Sequence, residues 1–170
     1  MAAYIALLRA VNVMGTGKLP MSSLVRLCEN SGFEQVRTYI ASGNAVFSSR
    51  LGERRIKAAL EERLAAYAGR AIGVMVRTAA EMAAVLAANP FHRDAPEKTV
   101  AIFLDHPPPA DAVETARGRR SESLALGKRE IYVAYRAGIA GSRLVIPAAK
   151  TGTFRNMNTV AKLAAMAGEI

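Results

Sequence analysis

Residues 3–11, "AYIALLRAV", carry apolar side chains on both alternating faces of an extended chain. This pattern is typical of a strand whose sheet is covered on both sides, because a strand with one wet face alternates apolar and polar residues. Arg9 is the one charged residue in the run and stands near its C-terminal end. The fold must therefore cover two faces of this strand, and we expect the two halves of the chain to pack together.

The pattern around this strand predicts a ferredoxin-like unit over residues 1–78. Pro20 indicates the start of a helix, and residues 53–68 carry the apolar stripe of a second helix. Further strands are predicted at residues 36–42, 45–49 and 71–78. The resulting order, β-α-β-β-α-β, is that of the split βαβ motif. Cys28 falls on the apolar stripe of the first helix, which favours a buried hydrophobic role over a nucleophilic one.

The pair Gly43-Asn44 separates two of the predicted strands. Glycine at the first position of a two-residue loop is typical of a type II′ hairpin turn. We therefore predict that strand 36–42 turns at these two residues into the strand that follows.

The pattern of residues 79–170 predicts a C-terminal α+β subdomain, which we expect to pack on the first subdomain. Thr78 and Glu81 have the spacing of a capping box at the start of a helix. The elements expected after that helix are a strand at 99–105, a short helix within 106–120, two strands joined at Gly127-Lys128 and an amphipathic helix at 155–167. The pattern leaves open whether this half is a degenerate copy of the first or a different subdomain.

The composition limits the chemistry that the chain supports. One cysteine and two histidines without partners at ligand spacing predict neither a disulfide nor a bound metal, and nothing in the sequence implies a cofactor. No apolar run reaches the roughly 18 residues of a membrane span, and the N-terminus lacks the pattern of a secretory signal. We therefore expect a cytoplasmic protein without a membrane partner.

The chain has 23 Lys and Arg against 14 Asp and Glu, a formal net charge of +9. This excess suits nucleic acid or phosphorylated ligands, but no block of five or six like charges appears, so the composition alone also accounts for it. RNA-recognition motifs stack bases on aromatic side chains of their central strands, and here these strands offer only Tyr4 and Phe47. The sequence favours a small anionic ligand over nucleic acid and leaves the oligomeric state open.

Three polar clusters stand at the ends of predicted elements and supply the candidate ligand-binding residues. Each also has a structural interpretation, as a loop, a turn or a helix cap. The third cluster has more amide and hydroxyl groups than one cap needs. The candidates are Arg9, Asn12 and Lys18 in the first cluster, Tyr39, Ser42 and Asn44 in the second, and Arg155, Asn156, Asn158 and Thr159 in the third.

The predicted topology separates these clusters. We expect Arg9 and Gly43 to lie at opposite ends of the first sheet. We also expect the start of the last helix, residues 153–159, to dock against the turn at 42–44 through Arg155 or Asn156. Gly15 and Gly17 lie in the loop before the first helix, where backbone N–H groups can bind an anion. A plain strand-to-helix loop also accounts for these glycines, and the sequence favours that interpretation.

The same segments resemble a bacterial family known as domain of unknown function 1697. Members read like "LLRGINVGGKNK", "RTYIQSGNVVF", "NPF" and a late "TTRNWNT", and this chain has "LLRAVNVMGTGK", "RTYIASGNAVF", "NPF" and "GTFRNMNT" in the same order. The resemblance implies an α+β fold with a ferredoxin-like N-terminal part, and it implies no activity. Ala10 and Met14 stand where glycine is usual, and Met157 where tryptophan is usual.

Three functions are compatible with these residues. The first is binding of a small anionic or phosphorylated ligand at polar element ends, with enzymatic activity left open. The second is a structural or regulatory protein–protein module without catalysis, whose polar clusters form an internal hydrogen-bonded network. The third is weak binding of nucleic acid through phosphate contacts.

Overall fold

A computed structural model describes residues 1–13 and 18–170. The chain divides into two compact units, the first made of Met1–Met82 with Leu163–Ile170 and the second of Ala83–Lys162. The predicted subdomains, 1–78 and 79–170, and the packing of one on the other stay predictions.

The first unit contains one antiparallel sheet in the order β2-β3-β1-β4. This is the strand order of the ferredoxin-like fold, so the α+β class and the ferredoxin-like first part are confirmed. The elements are β1 (Ala2–Leu8), α1 (Met21–Asn30), β2 (Glu34–Thr38), β3 (Asn44–Ser49), α2 (Glu53–Ala68) and β4 (Val74–Thr78). Helix α3 (Ala79–Ala87) begins in this unit, and its residues from Ala83 onward belong to the second.

Strand β1 is buried on both faces, as its composition predicts. Ala6 and Leu8 belong to a core cluster with Leu24 and Cys28 of α1 and with apolar residues of α2. Ile5 and Leu7, which point to the opposite face of the sheet, are also fully buried. Helix α2 has the predicted bounds, because its apolar stripe and the left-handed Gly69 that follows it define both face and end.

The connection between β2 and β3 differs from the predicted two-residue turn. Strand β2 ends at Thr38, and residues 39–43 form a five-residue loop before Asn44 opens β3. The buried Asn44 side chain donates to the Tyr39 carbonyl oxygen at 2.8 Å and to Ser42 Oγ at 2.9 Å. These bonds stabilise a longer loop, so the type II′ assignment is wrong and the strand predicted at 36–42 is too long.

The second unit contains a second antiparallel sheet, in the order β6-β7-β5-β8. Its apolar face is covered in part by Ala112 and by Leu144 and Ile146. Its strands are β5 (Thr99–Phe103), β6 (Ser123–Leu126), β7 (Glu130–Ala134) and β8 (Thr153–Asn156). Helix α4 (Met157–Gly168) begins in this unit, and its residues from Leu163 onward belong to the first.

One predicted helix of this half is absent, and another begins two residues later than predicted. Residues 106–120 contain no helix, because the three prolines at 107–109 lead into a turn at 110–115 and Arg117 forms a β-bridge with Val145. Residues 153–156 form β8 beside β5, and α4 begins only at Met157. A four-residue polar strand that runs directly into a helix has too little alternation to be told from the helix start.

The two sheets have the same strand order when β5 is matched to β1. Leu8 N donates to the Gly43 carbonyl oxygen at 2.9 Å, and Leu104 N donates to the Arg129 carbonyl oxygen at 2.9 Å. Both bonds extend the pairing of the first and third strands of a sheet by one residue. The second unit thus repeats the strand order of the first, with a turn and a short 3-10 segment (Pro147–Ala149) in place of two helices.

The fourth strands match residue by residue. Arg77 lies opposite Ile5 and Arg155 opposite Ala101, which are equivalent positions on the first strands. Both arginines are buried, and each donates to the carbonyl oxygen of its preceding residue, at 3.0 and 2.9 Å. The next residue in each case, Thr78 or Asn156, caps the helix that follows. This correspondence favours the degenerate copy among the two alternatives.

Candidate functional site

The first two polar clusters lie at one end of the first sheet. Arg9 N donates to the Gly73 carbonyl oxygen at 2.9 Å, and its neighbour Leu8 bonds to Gly43. The predicted placement of Arg9 and Gly43 at opposite ends is therefore wrong. Because neighbouring strands are antiparallel, the exit of β1 lies beside the entries of β3 and β4. Three loops meet at this end, at residues 9–13, 39–43 and 69–73.

Asn12 joins two of these segments. Its amide nitrogen donates to the carbonyl oxygens of Leu19 and Ala41, at 2.8 and 2.7 Å. Its amide oxygen accepts a hydrogen bond from Leu19 N at 2.6 Å. The side chain thereby uses both its donors and its acceptor to fasten the loop after β1 to the 39–43 loop.

Three residues other than glycine have left-handed backbone conformations at this end. The φ angles are +55° at Ala10, +55° at Asn12 and +54° at Ile40. Such angles are uncommon outside glycine and are least favourable for a β-branched residue such as isoleucine. Strained positions of this kind cluster at ligand sites, where surrounding contacts hold them in place.

A cavity of about 260 Å³ opens beside the loop after β1. We call it the sheet-end cleft, and its seven described lining residues are Val11, Lys18, Leu19, Tyr67, Ala68, Arg70 and Ile72. Arg70 donates to the Ala10 carbonyl oxygen at 3.3 Å, which places its guanidinium next to a strained residue. Tyr67 Oη lies 3.4 Å from Ser23 Oγ. The lining therefore combines two cations with apolar side chains and includes no carboxylate.

Two other cavities of the first unit have a different charge balance. One, of about 290 Å³, is lined by Glu62 and Arg63 together. The other, of about 450 Å³, is lined by Glu34 and Arg50. In both, the lining contains a carboxylate as well as an arginine, whereas the described lining of the sheet-end cleft has two cations and no carboxylate.

The six candidates of the first unit have different positions at this sheet end. Lys18 lines the sheet-end cleft, and Asn12 holds Leu19 of the same lining in place. Tyr39 and Ser42 lie in the 39–43 loop, and both accept hydrogen bonds from the side chain of Asn44 at the start of β3. Arg9 is exposed and its Cβ lies near Gly73.

The third cluster belongs to the second unit and is largely used by its own elements. Asn156 Oδ1 accepts from Thr159 N at 3.0 Å and so caps α4. Arg155 Nη1 donates to Thr153 Oγ1 at 2.7 Å, and burial lowers the pKa of Arg155 to about 10. Asn158 is exposed on the first turn of α4. The predicted contact between this cluster and residues 42–44 stays a prediction, and the predicted role of Gly15 and Gly17 lies outside the described residues.

Several other groups have no reactive character. Cys28 is buried, as its position on the helix stripe predicts, and burial raises the pKa of its thiol to about 12. Burial also raises the pKa of Tyr132 to about 12, and its hydroxyl donates to the Val85 carbonyl oxygen.

In the described ranges, no three His, Cys, Asp or Glu side chains are grouped for a metal ion. None of the helices described combines the length and apolarity of a membrane span.

Sequence reasoning missed Arg70 and Tyr67, which lie on and after the last turn of α2. The signal was available: Gly69 ends α2, so the residues around it lie at the entry of β4. Correct antiparallel geometry places that entry beside the exit of β1. The wrong placement of Arg9 and Gly43 at opposite ends of the first sheet is therefore also the reason that Arg70 was not predicted.

Comparisons with known proteins agree with this fold. A solved structure described as "conserved bacterial protein SP0830 from Streptococcus pneumoniae" is similar with a TM-score of 0.78 and 25% identity, over 98% of each chain. The comparison with curated proteins gave no match. A family model described as "Protein of unknown function (DUF1697)" matches residues 1–132, well over half of the chain. On this evidence the chain belongs to the DUF1697 family.

Proposed function

We propose that this protein binds a small anionic ligand, one that carries a phosphate group, in the sheet-end cleft of its first unit. The observation that carries the proposal is the lining: Lys18 and Arg70 share one cavity whose described lining residues include no carboxylate. An arginine fork matches two phosphate oxygens, and a lysine adds a mobile point charge. A phosphate group would neutralise both.

The apolar side of the cleft indicates what else the ligand contains. Val11, Leu19 and Ile72 line the cavity, and the half-exposed ring of Tyr67 closes one side of it. The cavity of about 260 Å³ is slightly smaller than the usual range of ligand sites, about 300–1,000 Å³. A small phosphate ester with a short apolar portion fits this combination better than a large cofactor.

The strained loop supports the proposal by holding the cleft in one shape. Asn12 fixes Leu19, and Arg70 bonds to the carbonyl oxygen of left-handed Ala10. A lining fixed before the ligand arrives loses less conformational entropy when the ligand binds. The Asn12 amide supports the cleft in this way, through its bonds to the backbone of Leu19 and Ala41.

Isothermal titration calorimetry with pyrophosphate as the probe tests the proposal. We expect Arg70→Gln and Lys18→Gln each to weaken binding about tenfold or more, since a hydrogen bond to a charged group contributes about 1.5–3 kcal/mol. Arg70→Lys keeps the charge and should retain part of the affinity. Arg63→Gln, which removes an exposed arginine beside Glu62 in the same unit, is the matched control and should change nothing.

Each outcome has a clear meaning because the three glutamine variants carry the same charge change. Equal losses in Arg63→Gln and Arg70→Gln would show that the probe senses only net charge, and the proposal would be wrong. Wild-type protein that releases no heat with pyrophosphate at low ionic strength would also contradict it. Thermal melts of every variant check that the loop after β1 remains folded.

A further inference from the structure

A second concentration of positive charge lies in the second unit. Residues 117–120, "RGRR", run antiparallel to residues 142–145, "SRLV". Arg117 N donates to the Val145 carbonyl oxygen and Val145 N to the Arg117 carbonyl oxygen, both at 2.8 Å. We call these two segments the basic ribbon. It contains four exposed arginines, Arg117, Arg119, Arg120 and Arg143.

The sequence separates these arginines, and the fold brings them together. Gly118 has a φ of +72°, and a Cβ there would overlap with the carbonyl oxygen of Arg143. The residue between Arg117 and Arg119 is therefore in contact with the backbone of Arg143. No long basic run is present in the sequence. The contact between Gly118 and Arg143 nevertheless brings arginines from two separate segments into one cluster.

Glu122 holds the two segments of the ribbon together and leaves most of the ribbon's positive charge in place. One carboxylate oxygen accepts from Arg120 N at 2.6 Å and the other accepts from Ser142 Oγ, so the carboxylate ties the two segments together. Arg119 Nε donates to the backbone carbonyl oxygen of Glu122 at 2.9 Å and keeps its charge. Within the described residues, the guanidinium groups of Arg117 and Arg143 make no hydrogen bond or ion pair.

We propose that the basic ribbon binds the phosphodiester backbone of nucleic acid. Exposed arginines without counter-ions are the groups that displace condensed cations from a phosphate backbone. The backbone pairing of the two segments also keeps the Cα atoms of these arginines close together, so the ribbon presents their charges as one cluster.

The ribbon favours phosphate contact over base recognition. Its eight residues include no aromatic side chain on which a base could stack, and Val145 is its one large exposed apolar residue. Contacts to phosphates fix position and carry no sequence information. We therefore expect binding that is independent of sequence and strongly dependent on salt. One exposed valine is also too little apolar surface for insertion into a lipid layer.

The test compares two triple variants of the full chain with equal loss of charge. One is Arg117→Gln/Arg119→Gln/Arg143→Gln in the ribbon. The matched control is Arg50→Gln/Arg54→Gln/Arg55→Gln, three exposed arginines at and before the start of α2. Fluorescence anisotropy with a labelled DNA duplex and a labelled single-stranded RNA measures the affinity across a salt series. We expect the ribbon variant to lower the slope of log K against log salt by about 3, one per arginine, and the control to leave it unchanged.

Three results would overturn the proposal. The first is an equal reduction of the salt slope in both triple variants, which would assign binding to net charge. The second is no binding of the wild-type protein to either oligonucleotide at low salt. The third is tighter binding to vesicles of anionic phospholipid than to nucleic acid. If the ribbon variant melts early, Arg117→Gln and Arg143→Gln alone serve instead, with an expected slope change of about 1 each, since their side chains make no bond among the described residues.

Discussion

At the scale of single residues, the sheet end of the first unit depends on glycine and asparagine in positions that other residues fill badly. Gly43 has a φ of +90°, and a Cβ there would lie 2.6 Å from Val11 Cγ2 and 2.9 Å from Leu8 Cβ. Asn44 follows it with a fully buried side chain. The Ser-Gly-Asn sequence is thus a loop fastened to β1, and its polar groups serve the fold first.

Replacement of Gly43 by alanine separates crowding from backbone strain. We expect Gly43→Ala to lower the free energy of unfolding by about 2–4 kcal/mol, the sum of a strained conformation and an overpacked contact. Gly32 is the control, because it has a φ of +86° and its Cβ would meet nothing within 4 Å. Gly32→Ala should cost only about 1–2 kcal/mol. Equal losses in urea unfolding of the two variants would contradict the close approach at Gly43.

Asn12 provides a second residue-scale prediction. Asn12→Ala removes three hydrogen bonds and places alanine at a φ of +55°, so we expect the free energy of unfolding to fall by about 2–4 kcal/mol. Asn30→Ala, an exposed asparagine at the end of α1, should change it by less than about 0.5 kcal/mol. Chemical denaturation measures both. A variant at Asn12 as stable as the Asn30 control would show that the bridge between the loops does not hold them.

Sequence identified several residues of this end but not their roles. Lys18 and Asn12 were predicted as ligand contacts; Lys18 lines the cleft, and Asn12 supports the cleft through Leu19. An amide at a loop has the same appearance in sequence whether it meets a ligand or a backbone carbonyl. Arg70 was missed because its relevance depends on the pairing of β1 with β4, a long-range feature that local patterns do not contain.

At the scale of elements, short and polar segments were the ones predicted wrongly. Helix α2 was predicted with its correct bounds, since sixteen residues with one apolar stripe allow few alternatives. Strand β8 has four residues and continues directly into α4, so its pairing with β5 decides its conformation. The loop at 39–43 likewise depends on bonds from Asn12 and Asn44 that turn statistics cannot contain.

The equivalent caps after β4 and β8 provide a prediction at this scale. Thr78 and Glu81 form a reciprocal capping box with bonds of 2.8 and 3.0 Å, and Asn156 accepts one bond of 3.0 Å from Thr159 N. We expect Thr78→Ala and Asn156→Ala each to lower the free energy of unfolding by about 1 kcal/mol. Thr78→Ser and Asn156→Asp retain a capping oxygen and should lose less. Alanine and conservative variants that melt alike would argue against capping at that position.

At the scale of the whole molecule, the two units share one strand order but differ in the segments that connect their strands. The first has α1 and α2 over one face of its sheet, and the second has turns and the basic ribbon where those helices would stand. Hydrophobic alternation predicted the strands of both units. It could not reveal their equivalence, because the correspondence rests on register, as in the pairing of Arg77 with Ile5 and of Arg155 with Ala101.

The central claim is that the sheet-end cleft is the site of small-anion binding, separate from the basic ribbon. Backbone amide chemical shifts of the full chain, followed by NMR during a pyrophosphate titration, test it most directly. The account predicts that amides of residues 10–13, 18–19 and 67–73 shift together and saturate at the lowest concentration. Shifts that begin at residues 117–120 and 142–145 and leave the cleft unchanged would contradict it.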